Sequence, residues 1–136
     1  MRQVTSTTGK TLYTTNILAG NHQIIADEPE NEGGQDLGAT PMELLAASLA
    51  SCTSITLRMY ADRKQWAIDE IKVEVNIVRD KEKTTTDFQK VIMVKGALDE
   101  TMKQRFLAIA NACPVHKILS NTVSINSELR MDSVEQ

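Results

Sequence analysis

Two cysteines and one histidine are the groups in this chain with the clearest capacity for chemistry. Cys52 lies inside "LLAASLASCTSITL" (residues 44–57), and Cys113 opens "CPVHKIL", with His116 three residues on. These are the only two thiols in 136 residues. A thiolate is a nucleophile and a metal ligand, whereas a thiol packed among apolar groups is an inert small hydrophobe. From spacing alone both readings stay open for each cysteine. Cys113 precedes Pro114 at a helix start, where a thiolate would see the positive end of the helix dipole. A protonated His116 would add a second favourable charge, although a surface or capping histidine is an equal reading. Cys52 has no such local help. It sits about three turns into its helix, among apolar neighbours that raise a thiol's pKa. If Cys52 is reactive, its cation comes from elsewhere in the fold.

Other thiol chemistries fit less well. Cys113 and His116 make a CxxH pair, but only Cys52 and His22 remain as soft ligands, at spacings that match no zinc pattern. No metal and no other cofactor is expected. A Cys–His hydrolase would need an orienting third residue and an oxyanion hole, and nothing marks either. The two cysteines form no CxxC motif, so only folding could bring them together.

The rest of the composition narrows the field. With 136 residues, 41% of them hydrophobic, the chain suits one globular domain spanning 1–136. The net charge is −3, and the basic clusters "DRKQ" and "RDKEK" also contain acids. Aromatics are few, so neither a basic stripe nor a stacking platform for nucleic acid is present. No apolar run approaches the ~20 residues that cross a bilayer. "MRQVTSTTGK" has no apolar core behind its charge, unlike a signal peptide. The expectation is a cytoplasmic protein with no nucleic-acid or membrane partner, in which two cysteines do not imply a structural disulfide.

The elements that must position the thiols follow from pattern. "QVTST", "TLYTTNIL" and "NHQIIADE" read as strands, the last two separated by the turn pair Gly20-Asn21. The segment 29–39, with Pro29, Gly33, Gly34 and Gly38, reads as a surface loop. Thr40, Pro41 and Glu43 spell a helix start with a capping box, and the helix runs to about Lys64. Its apolar and small positions Met42, Leu45, Leu49, Cys52, Thr56 and Met59 step by three and four along one expected buried face. "IKVEVNIV" (71–78) alternates as a half-buried strand, and "FQKVIMVKG" (88–96) returns as its hairpin partner. Asp99 caps a second helix, whose stripe Leu98, Met102, Phe106 and Ile109 ends at Cys113. "VSINSELRM" is expected to close the chain as a strand. Strands, long helix, hairpin, helix and strand make an α+β fold with mostly antiparallel sheet.

At these residues the chain resembles a known family. "GATPMELLAASLASCTSITLRMYADRK" (38–64) and "ACPVHKIL" (112–119) are similar to the two cysteine motifs of the OsmC/Ohr family. The acidic "ADEPENEGG" before them fits its OsmC-like branch, and the resemblance covers nearly the whole chain. It implies antiparallel sheets wrapped around long central helices in an intertwined homodimer. It also implies a thiol peroxidase that takes organic hydroperoxides as substrate and a dithiol as reductant. Cys52 then matches the attacking cysteine and Cys113 the resolving one, with a Cys52–Cys113 disulfide between them. Leu45, Leu49 and Met59 would line an apolar substrate pocket. The family's Glu directly follows the motif proline; here that position is Met42, and Glu43 is one step later. The family's early-strand Arg has no counterpart either, since no Arg lies between Arg2 and Arg58. Glu43 is therefore either a catalytic partner across a subunit boundary or only a helix cap, and the activating cation is unassigned. The alternatives are a non-catalytic or ligand-binding OsmC-like domain, with its thiols as packing or redox sensor, and a thioesterase-like fold built on the same long helix.

Overall fold

The computed structural model describes residues 2–131. Three short strands, β1 (Val4–Thr8), β2 (Thr15–Ala19) and β3 (His22–Ala26), form an antiparallel sheet in that order. A 3-10 turn at Glu30–Glu32 sits in the glycine-rich loop. The loop is pinned by Asp27, which is almost fully buried. Its carboxylate accepts the backbone N–H of Glu28 (2.8 Å), Tyr13 (3.1 Å) and Leu37 (3.3 Å) and the Thr14 hydroxyl (3.2 Å). Burial pushes this carboxyl up, but the backbone donors outweigh it and hold it below the usual carboxylate range.

The long helix α1 spans Pro41–Lys64 and begins where the capping box places it. The Thr40 hydroxyl accepts the Glu43 N–H at 3.1 Å, and the Glu43 carboxylate accepts the Thr40 N–H at 2.9 Å. Gln65, in the left-handed region at φ 55°, ends the helix. Replacing Thr40 by Ala removes one of the two reciprocal bonds and is expected to cost about 1 kcal/mol. A lower urea midpoint with an unchanged m value measures it. By length and composition alone α1 could span a bilayer, which the count of apolar runs did not anticipate. Here it packs on the following hairpin and on both later helices.

That hairpin joins β4 (Ile68–Arg79) to β5 (Thr86–Gly96). Asp80 closes its turn by accepting the N–H groups of Thr84 and Thr85. Gly96 adopts φ +149°, and a Cβ there would meet the Ala67 carbonyl oxygen at 2.7 Å, so the strand end has no room for a side chain. Helix α2 (Glu100–Ala110) starts at the Asp99 cap, and α3 (Pro114–Leu119) starts at Cys113. The core lies between α1, α2 and the hairpin: Leu57, Tyr60, Ala61, Ile68, Phe106 and Ala110 are buried together. Trp66 stacks edge-on against Tyr60 at 5.3 Å and tilts on Phe106 at 5.4 Å.

The fold is α+β, as expected, with two antiparallel sheets. Two details differ from the sequence reading. The segment "VSINSELRM" is not a strand. Residues 122–131 have no regular structure, and Ile125 and Leu129 are 84% and 85% exposed. Alternation marks a face that could be buried, but a strand also needs a free edge to pair with, and this segment meets none within the described residues. The buried positions of α1 are Leu49, Thr53, Leu57, Tyr60 and Ala61. Beyond Leu49 this face is turned away from the expected positions Cys52, Thr56 and Met59. A pattern built on apolarity passed over Thr53, whose hydroxyl has a polar partner inside.

Candidate functional site

Strand β5 delivers the charge. Along it Phe88, Lys90, Ile92 and Val94 are half-buried while Val91 and Met93 face outward. Lys90 stands opposite Val75 of β4, on the face the hairpin turns toward the helices. Its Nζ lies 3.0 Å from Thr53 Oγ1 on α1, 2.9 Å from the Ala110 carbonyl oxygen at the end of α2, and 3.0 Å from His116 Nδ1 on α3. An ammonium has three protons and no lone pair, so it donates to all three. His116 Nδ1 must then be the unprotonated nitrogen, with the ring proton on Nε2. Burial, and then the Lys90 charge, hold His116 below its ordinary range, so the ring is neutral near pH 7. Of the two readings of His116, the imidazolium beside the thiolate gives way to a neutral ring, and the positive charge is the lysine ammonium.

The hydrogen bonds then run on to sulfur. Thr53 is fully buried, and its oxygen accepts from Lys90. Its own proton is free to point at Cys113 Sγ, 3.4 Å away. Cys113 is the N-cap of α3, and its Sγ also accepts the His116 N–H at 3.3 Å. Burial pushes the Cys113 thiol up. The Thr53 hydroxyl, the His116 amide, the Cys52 thiol and the Lys90 charge outweigh it, and the thiol is held below its ordinary value. Lys90 is itself lowered by burial, partly offset by the two cysteines, Cys113 more than Cys52.

Cys52 is half-buried and precedes Thr53 on α1; both cysteines are free thiols. The Cys52 thiol contributes to the lowering at Cys113 and offsets part of the burial effect at Lys90. A cavity of about 250 Å³ opens at Lys90 and His116, lined also by Leu49, Phe88 and Leu119 among others. Leu49 therefore stands where a pocket residue was expected. Leu45 and Met59 do not line this cavity, and Met59 is 61% exposed in the single chain.

Glu43 is engaged elsewhere. The Thr40 N–H, then the Thr40 hydroxyl, hold its carboxyl below the usual range. Its position nine residues before Cys52 puts it about 13 Å along the helix axis. The helix cap is the role that this single chain shows for it. Arg58 donates to the Ile68 carbonyl at 2.9 Å and pairs with Asp62 at 3.6 Å, tying α1 to β4. The cation at the thiols is Lys90, which reading the sequence for arginines missed. The signal for it was present: a lysine in phase with Phe88, Ile92 and Val94 is directed inward with them. Among the described residues, no group of three or more His, Cys, Asp or Glu gathers as a metal site would require. The arrangement is two thiols of different exposure near one half-buried lysine, which lines a cavity with a partly apolar wall.

Comparison with known proteins places this geometry in context. A family profile described as OsmC-like protein matches residues 33–128, both cysteine segments included. Among solved structures, an OsmC-like protein from Mycoplasma pneumoniae superposes with a TM-score of 0.76 at 20% identity, covering 88% of this chain and 87% of the other. A candidate osmotic-stress-induced and detoxification-response protein from Psychrobacter arcticus gives 0.75 at 28% identity, covering 86% and 87%. The organic hydroperoxide resistance protein OhrB of Bacillus subtilis gives 0.58 at 23% identity, covering 86% and 88%. No curated protein matches the chain significantly.

Proposed function

The chain belongs to the OsmC-like family, and from that premise we propose that it is a thiol-dependent peroxidase acting on organic hydroperoxides. The observation that carries the reading is the hydrogen-bonded run from Lys90 through Thr53 to Cys113, with Cys52 the residue next to Thr53 on α1. Cys52 is the half-buried thiol and Cys113 the fully buried one, so an incoming peroxide reaches Cys52 first. The Cys52 thiolate attacks the distal oxygen of ROOH. The O–O bond breaks, the alkoxide takes a proton and leaves as alcohol, and sulfur is oxidised to the sulfenic acid. Cys113 then displaces the hydroxyl to give a Cys52–Cys113 disulfide, and an external dithiol reduces it by exchange. The resistance to organic hydroperoxides for which the Bacillus subtilis relative is named fits this chemistry.

The active unit in this reading is a homodimer in the cytoplasm. The outward face of α1 exposes Leu45, Ile55 and Met59, and the first sheet exposes Val4, Leu18 and Ile24. A second copy covering these side chains would bring Leu45 and Met59 toward a shared pocket with Leu49. That supports an alkyl rather than a polar substituent on the peroxide.

Steady-state assays with dithiothreitol and either cumene hydroperoxide or hydrogen peroxide test the proposal. The organic peroxide is expected to be consumed catalytically and faster than hydrogen peroxide. Consumption no faster than in protein-free controls would refute it. A single stoichiometric oxidation without turnover would instead favour a redox sensor.

A further inference from the structure

We infer that Lys90 is the positioning residue of the disulfide-forming step, the counter-cation that holds Cys113 as a thiolate for attack on the Cys52 sulfenic acid. This deepens the peroxidase reading and rests on it. Neither cysteine motif contains Lys90; the β5 register places it there.

Cys113 Sγ has the Thr53 hydroxyl at 3.4 Å and the His116 N–H at 3.3 Å directed at it. The Thr53 oxygen accepts from Lys90 at 3.0 Å, which leaves the hydroxyl proton free to turn to sulfur. Run in the direction Lys90 N–H to Thr53 O–H to Cys113 Sγ, the chain ends on a sulfur acceptor and so favours the form of sulfur without a proton. The side chain is also anchored: the Ala110 carbonyl and His116 Nδ1 take the other two ammonium protons. The remaining titratable groups that face Cys113 add no competing cation. From α1 there is Cys52, from α3 the neutral His116, from α2 only the Ala110 carbonyl, and Asp87 lines the neighbouring cavity. Lys90 is the cation that interacts electrostatically with both cysteines among the described residues.

The step balances without a further reactant. The Cys113 thiolate attacks the Cys52 sulfenic sulfur, the S–S bond forms and the S–O bond breaks with its electron pair on oxygen. The hydroxide takes a proton from solvent as water. The sulfenic sulfur is reduced by one and the thiolate sulfur oxidised by one. A neutral Cys113 would have to lose its proton inside a buried site first. Because Lys90 keeps it ionised, the sulfenic acid is short-lived and further oxidation is limited.

Lys90→Gln removes the charge and keeps two N–H donors; Lys90→Arg keeps the charge. In a Cys52→Ser background the ultraviolet thiolate absorbance reports Cys113 alone and needs no peroxide. There Lys90→Gln is expected to raise the midpoint by about one pH unit or more, the scale for loss of an opposite charge at short range. Lys90→Arg is expected to stay near the parent. With both cysteines present and one equivalent of hydroperoxide, Lys90→Gln is expected to accumulate dimedone-trapped Cys52 sulfenic acid at pH 7. Raising the pH past the new Cys113 midpoint should clear it, a rescue that mere structural damage would not permit. A midpoint unmoved in folded Lys90→Gln, or trapping that high pH does not relieve, overturns the inference. If the parent protein forms no sulfenic acid, the peroxidase reading fails while the titration still tests Lys90.

Discussion

Replacing Cys52 by Ser is expected to abolish hydroperoxide turnover, while replacing Cys113 by Ser is expected to stall the enzyme after its first step. The two outcomes differ because the structure gives the sulfurs different surroundings. Cys52 is the accessible one, and a serine hydroxyl in its place has no comparable nucleophilicity. Loss of the attacking group should lower the rate a thousandfold or more. Cys113 is fully buried and receives its hydrogen bonds from Thr53 and His116. Its removal leaves the first chemical step intact and takes away the intramolecular thiol. A sulfenic acid on Cys52 should then persist and be trapped by dimedone, with mass spectrometry locating the adduct. Turnover retained in Cys52→Ser, or an adduct on Cys113 in the parent protein, would reverse the assignment of roles.

The largest stability effect is expected from Leu57→Ala. Leu57 is fully buried where α1 meets α2 and the hairpin, in one cluster with Tyr60, Phe106 and Ala110. The substitution removes transfer free energy and leaves a cavity whose walls are held by the Tyr60–Trp66–Phe106 aromatic group, which cannot collapse freely. A loss of about 3–5 kcal/mol follows. For a chain of this size that lowers Tm by roughly 10–15 °C, measurable by calorimetry. Met59→Ala on the outer face of the same helix should cost far less in the isolated chain, since Met59 is 61% exposed. A similar loss for both would mean that the outer face is covered as well, as a tight dimer would cover it.

Much of this architecture is legible along the chain because local rules and tertiary packing agree. Thr40, Pro41 and Glu43 start α1 through bonds that need no distant partner. The β4 alternation Ile71, Val73, Val75, Ile77 faces inward throughout. Where reading stopped, the deciding partner lay far away in sequence. Thr53 is buried because Lys90, 37 residues on, satisfies its hydroxyl. Lys90 is inward because α1, α2 and α3 supply three acceptors at one point. No local pattern contains that convergence, although the phase of Lys90 with Phe88 and Ile92 hints at it. The segment 123–131 is irregular for the complementary reason: its alternation is real, but the described residues offer no edge that pairs with it.

Everything in the functional account depends on Cys52 and Cys113 reaching each other in one folded chain. The direct measurement is peptide mapping under non-reducing conditions, after one equivalent of cumene hydroperoxide and alkylation of the remaining thiols. The account predicts a single cross-linked species joining the Cys52 and Cys113 peptides, returned to two alkylated peptides by dithiothreitol. Both peptides recovered alkylated, or Cys52 joined only to Cys52 of another chain, would contradict it.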